Sequence, residues 1–363
     1  MVTEEKRLPQ ASPLFHLGYQ PALDGLRGYA VLWVIAFHYS LPFGRDGLFG
    51  VDIFFALSGF LITVLVMEEW ERTGSIQLRF FYARRILRLF PALVVMLVAL
   101  SAIAPRAYLV STLFYFTNWI KAFHLQPESL YLDHTWSLSI EEQYYMLWPV
   151  LLLTMLRLKI PKKILVLIPL FLGLLSAASR AAVWSATQDW YRVYMSTDLH
   201  ADGLLLGSAF GLMTTFGFLP DFKKHQRIVG LISLITFLFA AWLLIEKQLT
   251  PEAIPLFGNL GVSLGTLVVI SRVVHSPSPL VIKVLGFQPL VKIGVISYGL
   301  YLWHAPIGVM IEQAELPLEP IWVAIIKVLA TFIVAGLSYF LVEKPLLKLK
   351  SRFAPGKSST LVR

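Results

Sequence analysis

Two ionisable residues stand where hydrocarbon should exclude them. In the run LDGLRGYAVLWVIAFHYSLPFGRDGLFGVDIFFALSGFLIT, residues 23–63, Arg27 lies near the start of the first apolar stretch and His38 deep inside it. Charged or ionisable groups inside a membrane span are costly, so they are functional candidates by default. Eleven residues at about 100° each make three turns plus roughly 20°, which puts both side chains on one helix face about 16 Å apart. Asp24 shares that face and can orient Arg27 at i,i+3. The plainer reading of each residue alone is a snorkelling arginine and a histidine bonded to a neighbouring helix. Together they suggest chemistry. A neutral imidazole can take a proton as general base or attack as nucleophile. The spacing leaves both roles open.

Further along, Asp52, Ala56, Gly59 and Thr63 recur at helical spacing and form a small-residue face, expected to pack against the first span. The segment FYARRILRLFP, residues 81–91, places Arg84, Arg85 and Arg88 at the start of the third span. Topology alone accounts for basic residues there. A helix N-terminus beside several arginines also suits phosphate groups. In DHTWSLSIEEQYYMLWP, residues 133–149, His134, Leu138, Glu141 and Tyr145 fall on one face, with Thr135, Ser139 and Glu142 beside them. Adjacent acids at the outer end of an apolar span suit a proton shuttle or a substrate contact. The alternative is an ion pair with Arg180 or Arg192. In STDLHADGLLLG, residues 196–207, Asp198, His200 and Asp202 lack further placed ligands, so no metal is expected. His304 falls within the ninth span in SYGLYLWH, and SYFLVEKP ends the tenth with Glu343, Lys344 and Pro345, read as a helix stop with a local ion pair.

These residues need a scaffold. The 363-residue chain is 57% apolar and only 15% charged, with net charge +9. A soluble chain of this size carries more charge. Repeated apolar runs near the roughly 20-residue spanning length predict an all-α, polytopic membrane protein. Ten spans are expected, at about 22–43, 49–67, 86–104, 138–156, 164–183, 201–219, 228–246, 254–272, 293–312 and 320–341. This count puts 23 Lys/Arg on the side of the termini against 6 on the other, which makes both termini cytoplasmic. The apolar segment at 108–120 would reverse that bias if it spanned, so it is expected to be re-entrant or interfacial. One membrane domain, 21–346, is expected between a cytoplasmic tail, 1–20, and a basic cytoplasmic tail, 347–363. The excess positive charge is topological, and no nucleic-acid partner is implied. Cysteine is absent, which excludes disulfides and thiolate chemistry. No signal peptide is evident.

Several of these motifs occur together, and in this order, in a known family. The chain resembles acyltransferase family 3, multi-span enzymes that acylate bacterial envelope glycans. The resemblance is carried by Arg27-x10-His38, FGVDIFFALSGFLIT, FYARRILRLFP, HTWSLSIEEQYY, SYGLYLWH and LVEKP, between residues 22 and 346. It implies a multi-pass protein of the cell membrane that takes an acyl group, acetyl above all, from cytoplasmic acyl-coenzyme A. The group would pass to a hydroxyl of an extracytoplasmic or lipid-linked glycan. No permanently bound cofactor is implied. The resemblance gives His38 and Arg27 a catalytic role, and it gives Arg84, Arg85 and Arg88 the donor's anionic end. Glu141 and Glu142 are candidate catalytic partners, and Asp24, His134, Ser139 and Tyr145 candidate substrate contacts. Some family members carry a soluble acyltransferase domain after the last span, so this chain is expected either to act alone or to hand the acyl group to a separate extracytoplasmic acyltransferase protein. The alternative function class is a proton-coupled carrier of a glycan or acyl compound, with His38, Glu141 and Glu142 as its relay.

Overall fold

The computed structural model describes residues 15–42, 44–222, 224–245 and 253–349, so most of both expected tails lies outside the described residues. Among the described residues every regular element is helical. Ten longer helices organise the fold: α1 (Pro21–His38), α2 (Gly50–Thr73), α3 (Leu78–Leu100), α4 (Trp136–Arg157), α5 (Lys162–Thr187), α6 (Asp202–Phe216), α7 (Gln226–Ile245), α8 (Asn259–Val274), α9 (Ser297–Gln313) and α10 (Pro320–Ser338). One falls on each of the ten expected segments. Four helical stretches among the described residues are long and apolar enough to cross a bilayer: Gly47–Thr73, Lys162–Thr187, Ile254–Val274 and Pro320–Leu347. The pair Gln288–Val295 and Ser297–Gln313, bent by 72°, would make a fifth. The difference from ten has a physical source. α3 and α4 spend apolar positions on Arg79, Arg84, Arg85, Arg88, Glu141 and Glu142, and α6 is only 15 residues long. The segment 108–120 forms two short helices, Arg106–Leu113 and Thr117–Ala122.

Local sequence explains the helix ends. Pro21 opens α1, where a missing N–H costs nothing. Gly74 closes α2 at φ +67°, a left-handed cap that disfavours side chains. α1 stops at His38, not at residue 43, and Tyr39 caps it. His38 is therefore exposed at the helix end rather than buried at mid-depth. α3 begins at Leu78, so Arg84, Arg85 and Arg88 lie in its second and third turns, and the expected help from its positive end is lost.

The small-residue face of α2 packs elsewhere than expected. It faces α6, not α1: a Cβ on Gly59 would lie 2.0 Å from the Leu204 carbonyl oxygen, and one on Gly207 would lie 2.2 Å from that of Ala56. Thr63 donates to Ser208 across this contact (2.9 Å), and Trp148 of α4 donates to Thr63 (2.8 Å). α1 instead packs on residues 279–295, where Gly28 meets Leu290 and Gly294 meets Asp24, backbone to backbone. Small residues allow such approach where lipid gives little hydrophobic force between helices. At the far end of α10 a π-helical turn, Tyr339–Glu343, continues into Lys344–Leu347. Glu343 is buried beside Ser338 and Gly299 and does not pair with Lys344, which lies over the Phe340 ring.

Gly207→Ala should strain the α2–α6 contact and cost about 1–3 kcal/mol by overpacking. Gly336→Ala, where a Cβ would meet nothing within 4 Å, is the control. Thermal unfolding of the purified proteins in detergent compares them. Equal melting temperatures for the two variants would argue against tight packing at Gly207.

Candidate active site

Five helices converge on a central cavity of about 100 Å3. Arg27 enters from α1, Ser58 from α2, Arg85 and Arg88 from α3, Glu141, Glu142 and Tyr145 from α4, and Tyr298 from α9. Arg85 donates to Glu142 at 2.8 Å, and its guanidinium lies 3.1 Å above the Tyr145 ring. Ser58 and Tyr145 (2.6 Å) both donate to Glu141. The two acids are therefore held by α2, α3 and α4; Arg180 and Arg192, their expected alternative partners, pair with Asp202 and Asp198. The charges do not balance. Three arginines face two carboxylates, and among the described residues Arg27 and Arg88 form no ion pair. Asp24 makes none with Arg27, contrary to expectation.

Three further spaces adjoin this cavity, one of them, about 360 Å3 and lined by Ile86, Phe90 and Met146, sharing Arg85, Tyr115, Glu142 and Tyr145 with it. Where α1 and α3 begin, a mouth of about 540 Å3 is lined by Arg72, Arg84, Arg85 and Arg88, by Glu68, Glu69 and Glu71, and by Phe15 and His16. Arg84 bonds Glu69 there (3.3 Å). Arg85 and Arg88 line both mouth and cavity. On the other side Arg27, Leu138, Glu141 and Tyr298 are shared with an inner space of about 40 Å3, lined also by Val51, Phe54, Phe55, Ser137, Ser297 and Tyr301.

Beyond that wall stand three imidazoles. Ser137 and Tyr301 hydroxyls bond at 2.5 Å, and Tyr301 also donates to the His134 carbonyl at 3.0 Å. The His304 ring lies 5.1 Å from that of His134 and 4.8 Å from that of His38. Backbone carbonyls fix each tautomer, because a carbonyl only accepts. His38 donates from Nδ1 to Val34 (2.9 Å), His134 from Nε2 to Leu302 (3.1 Å), and His304 from Nδ1 to Tyr301 (2.5 Å). His38 thus keeps the Nε2 lone pair. Tyr39, the next residue, ties this end of α1 down by donating to the His304 carbonyl (2.6 Å) and bonding Thr331 (2.7 Å).

The structure brings together His38 with His134, and Arg27 with Arg85, Arg88, Glu141, Glu142 and Tyr145. Ser139 is left out: it is buried, with its hydroxyl turned onto the Thr135 carbonyl. Asp198, His200 and Asp202 disperse to Arg192, Asp52 and Arg180. Ser297, Tyr298, Tyr301 and His304 were missed as site residues, although Ser297, Tyr301 and His304 recur every three to four positions and mark one stripe of α9.

Apolar helices bundled around a line of arginine, carboxylate and imidazole side chains describe a helical membrane protein with an internal polar site. The chain belongs to acyltransferase family 3, whose acyltransferase domain matches residues 20–340. It is 36% identical to the peptidoglycan O-acetyltransferase OatA of Listeria monocytogenes, over 91% of this chain and 56% of that one. The putative peptidoglycan O-acetyltransferase YrhL of Bacillus subtilis is 33% identical, over 91% of this chain and 55% of that one. The O-acetyltransferase OatA of Staphylococcus aureus strain MRSA252 is 32% identical, over 99% and 63%. The chain thus spans less than two thirds of the length of these relatives. No solved structure matches it.

Glu142→Gln should destabilise the protein by about 1.5–3 kcal/mol, because it strands a guanidinium in the interior. Arg85→Leu combined with Glu142→Leu should recover much of that loss, since apolar replacement of a buried pair is often neutral. A double-mutant cycle on unfolding midpoints reads the coupling. Strictly additive single effects would mean that the 2.8 Å contact carries none.

Proposed function

We propose that the protein is an acyl-coenzyme A-dependent O-acyltransferase that moves an acetyl group through the membrane to a hydroxyl of an envelope glycan. The relatives named above make peptidoglycan the first acceptor to test. One observation carries this reading. Buried polar atoms without a hydrogen-bond partner line the route from mouth to histidines: Arg85 Nε, Arg27 Nε, Ser297 Oγ, His134 Nδ1 and His304 Nε2. Buried polar groups are ordinarily bonded, and those left open ask for a ligand.

In this proposal the donor's phosphates sit at Arg84, Arg85 and Arg88, where forked guanidinium groups suit them. Its long arm passes Arg27 and Ser297 toward the histidines. α1 spans about 27 Å from Pro21 to His38. The acceptor hydroxyl reaches His38 from the exposed side and gives its proton to Nε2. Its oxygen attacks the thioester carbonyl, the C–S bond breaks, and the proton returns to the thiolate. A covalent route through the same Nε2 forms acyl-His38 first and then transfers the group. Glu141, held by Ser58 and Tyr145, and Glu142, held by Arg85, act as positioning residues for the arginines. Ten spans, with both termini and the arginine mouth on the cytoplasmic side, are part of this proposal. A separate extracytoplasmic acceptor protein fits the exposed end as well as a glycan does.

His38→Gln should lower transfer by about 10²–10⁴-fold, the usual cost of a lost general base. It should still bind coenzyme A, because the phosphate contacts lie at the other end of α1. Turnover near wild type would remove His38 from the chemistry. Acid quench with labelled donor separates the routes, since only the covalent one leaves label on His38.

The chain has no cysteine, so single cysteines report topology cleanly. A Cys at Lys162 should label only from the cytoplasm and one at His124 only from outside. Labelling of the Lys162 position from outside would sink the ten-span arrangement.

A further inference from the structure

We propose that the inner space between the arginine cavity and the histidines is a size filter for the transferred acyl group, and that Phe54 and Leu138 set its bore. This rests on the donor route proposed above and adds the residues that decide which acyl group passes.

The route narrows stepwise. Free volume falls from about 540 Å3 at the mouth to about 100 Å3 at the arginines and about 40 Å3 at the inner space. A water needs on the order of 10–15 Å3 of such space, so the last step holds roughly three non-hydrogen atoms. An acetyl group has that many. Each added methylene has to find its room by pushing on the walls, and close-packed interiors yield poorly.

The walls differ in how freely they can be changed. Arg27, Glu141, Ser137, Tyr298 and Tyr301 are polar, and all but Arg27 and Tyr298 are tied to the acid and histidine networks by the bonds given above. Phe55 is buried against Trp136 and His200, with ring centroids 6.5 and 5.5 Å away, so it belongs to the core. Phe54 is only half-buried and touches the gate edge-on, its ring 6.4 Å from that of Tyr301. Leu138 lines both the arginine cavity and the inner space, at the step between them. Val51 completes the apolar wall of the inner space; Phe54, beside Tyr301, and Leu138, shared with the arginine cavity, are the apolar side chains placed where one space meets the next. Removing one methylene's worth of obstruction in such a pocket changes discrimination by roughly 10–200-fold.

The experiment compares acetyl-, propionyl-, butyryl- and hexanoyl-coenzyme A as donors, by kcat/KM, with purified full-length protein. Wild type should fall by at least about 10-fold from acetyl to butyryl. Phe54→Ala and Leu138→Ala should each raise the butyryl-to-acetyl ratio by about 10-fold or more, and Phe54→Leu by less. Coenzyme A affinity, measured on the same preparations, reports that each variant is folded with its mouth intact. Phe54→Leu stands in for Phe54→Ala if the alanine variant does not fold. A wild type that uses butyryl as well as acetyl overturns the filter. So does an unchanged chain-length profile in variants that bind coenzyme A and transfer acetyl, and that result leaves the donor route standing. A wild type that takes no acyl group from any of the four donors fails the donor route itself, and the filter with it.

Discussion

The Arg85–Glu142 ion pair holds the centre of this molecule together. It joins α3 to α4 at 2.8 Å inside a largely apolar bundle. Taking two charges out of water is expensive, and their attraction offsets that cost only when geometry and further bonds are good. The guanidinium stacks on Tyr145 and leaves its Nε open, and Tyr145 in turn bonds Glu141, which also receives Ser58 from α2. α2, α3 and α4 are thereby locked around one polar point. A hydrophobic trio would pack as stably there. What the charged version adds is a fixed position for arginines that have no carboxylate of their own.

A second buried charge network shows what a purely structural solution looks like in the same fold. Arg180, fully buried, makes two bonds to Asp202 (2.7 and 2.8 Å) and donates to the carbonyls of Leu199 and Pro255. Asp52 receives His200 (3.0 Å) and Asn259 (3.1 Å to each oxygen). In this cluster both carboxylates are filled and the guanidinium is saturated, as buried polar networks require. Along the route from Arg85 to His304 the atoms stay open. The Arg180–Asp202 pair is fully buried and the Arg85–Glu142 pair partly exposed. In the first cluster the charged groups all have partners and only the Asn259 amide oxygen stays open, whereas in the second Arg85 and Arg27 each keep an open Nε.

How much of this could be read in the sequence depends on the range of each contact. Helix positions were legible, because apolar periodicity is local; all ten expected segments carry a helix. The residues that line the candidate site were largely legible too, since Arg27, His38, Arg85, Arg88, Glu141 and Glu142 are residues that an apolar interior does not tolerate without cause. Partners were not. Glu142 and Arg85 are 57 positions apart, and nothing in one helix says which arginine its acids meet. The small face of α2 was visible as a packing surface, but a glycine stripe does not name its partner, and α6 took the place expected of α1. The end of the helix that carries His38 was misplaced for a related reason. The apolar run continues past it to Leu41 and Phe43, while the backbone turns at Tyr39 and Ser40, where φ reaches +52°. His304 was noticed within its span but given no partner, and Tyr301 passed as ordinary core, as aromatic residues at helical spacing do.

The open atoms along the route also have a direction. At the arginine end the unfilled groups are N–H donors, Arg85 Nε and Arg27 Nε. At the histidine end they are acceptors, because His134 spends its Nε2 hydrogen on Leu302 and His304 its Nδ1 hydrogen on Tyr301. Between them Ser297 Oγ can serve either way. A ligand that satisfies all five must therefore present oxygen acceptors toward α3 and N–H or O–H donors toward the end of α1. A symmetric solute, or one threaded in reverse, leaves buried groups unpaired at both ends and pays the desolvation cost of each. Phosphates at one end and amide or hydroxyl hydrogens at the other meet the requirement in a single orientation. The backbone carbonyls of Tyr301 and Leu302, by fixing two imidazole tautomers, are what impose it.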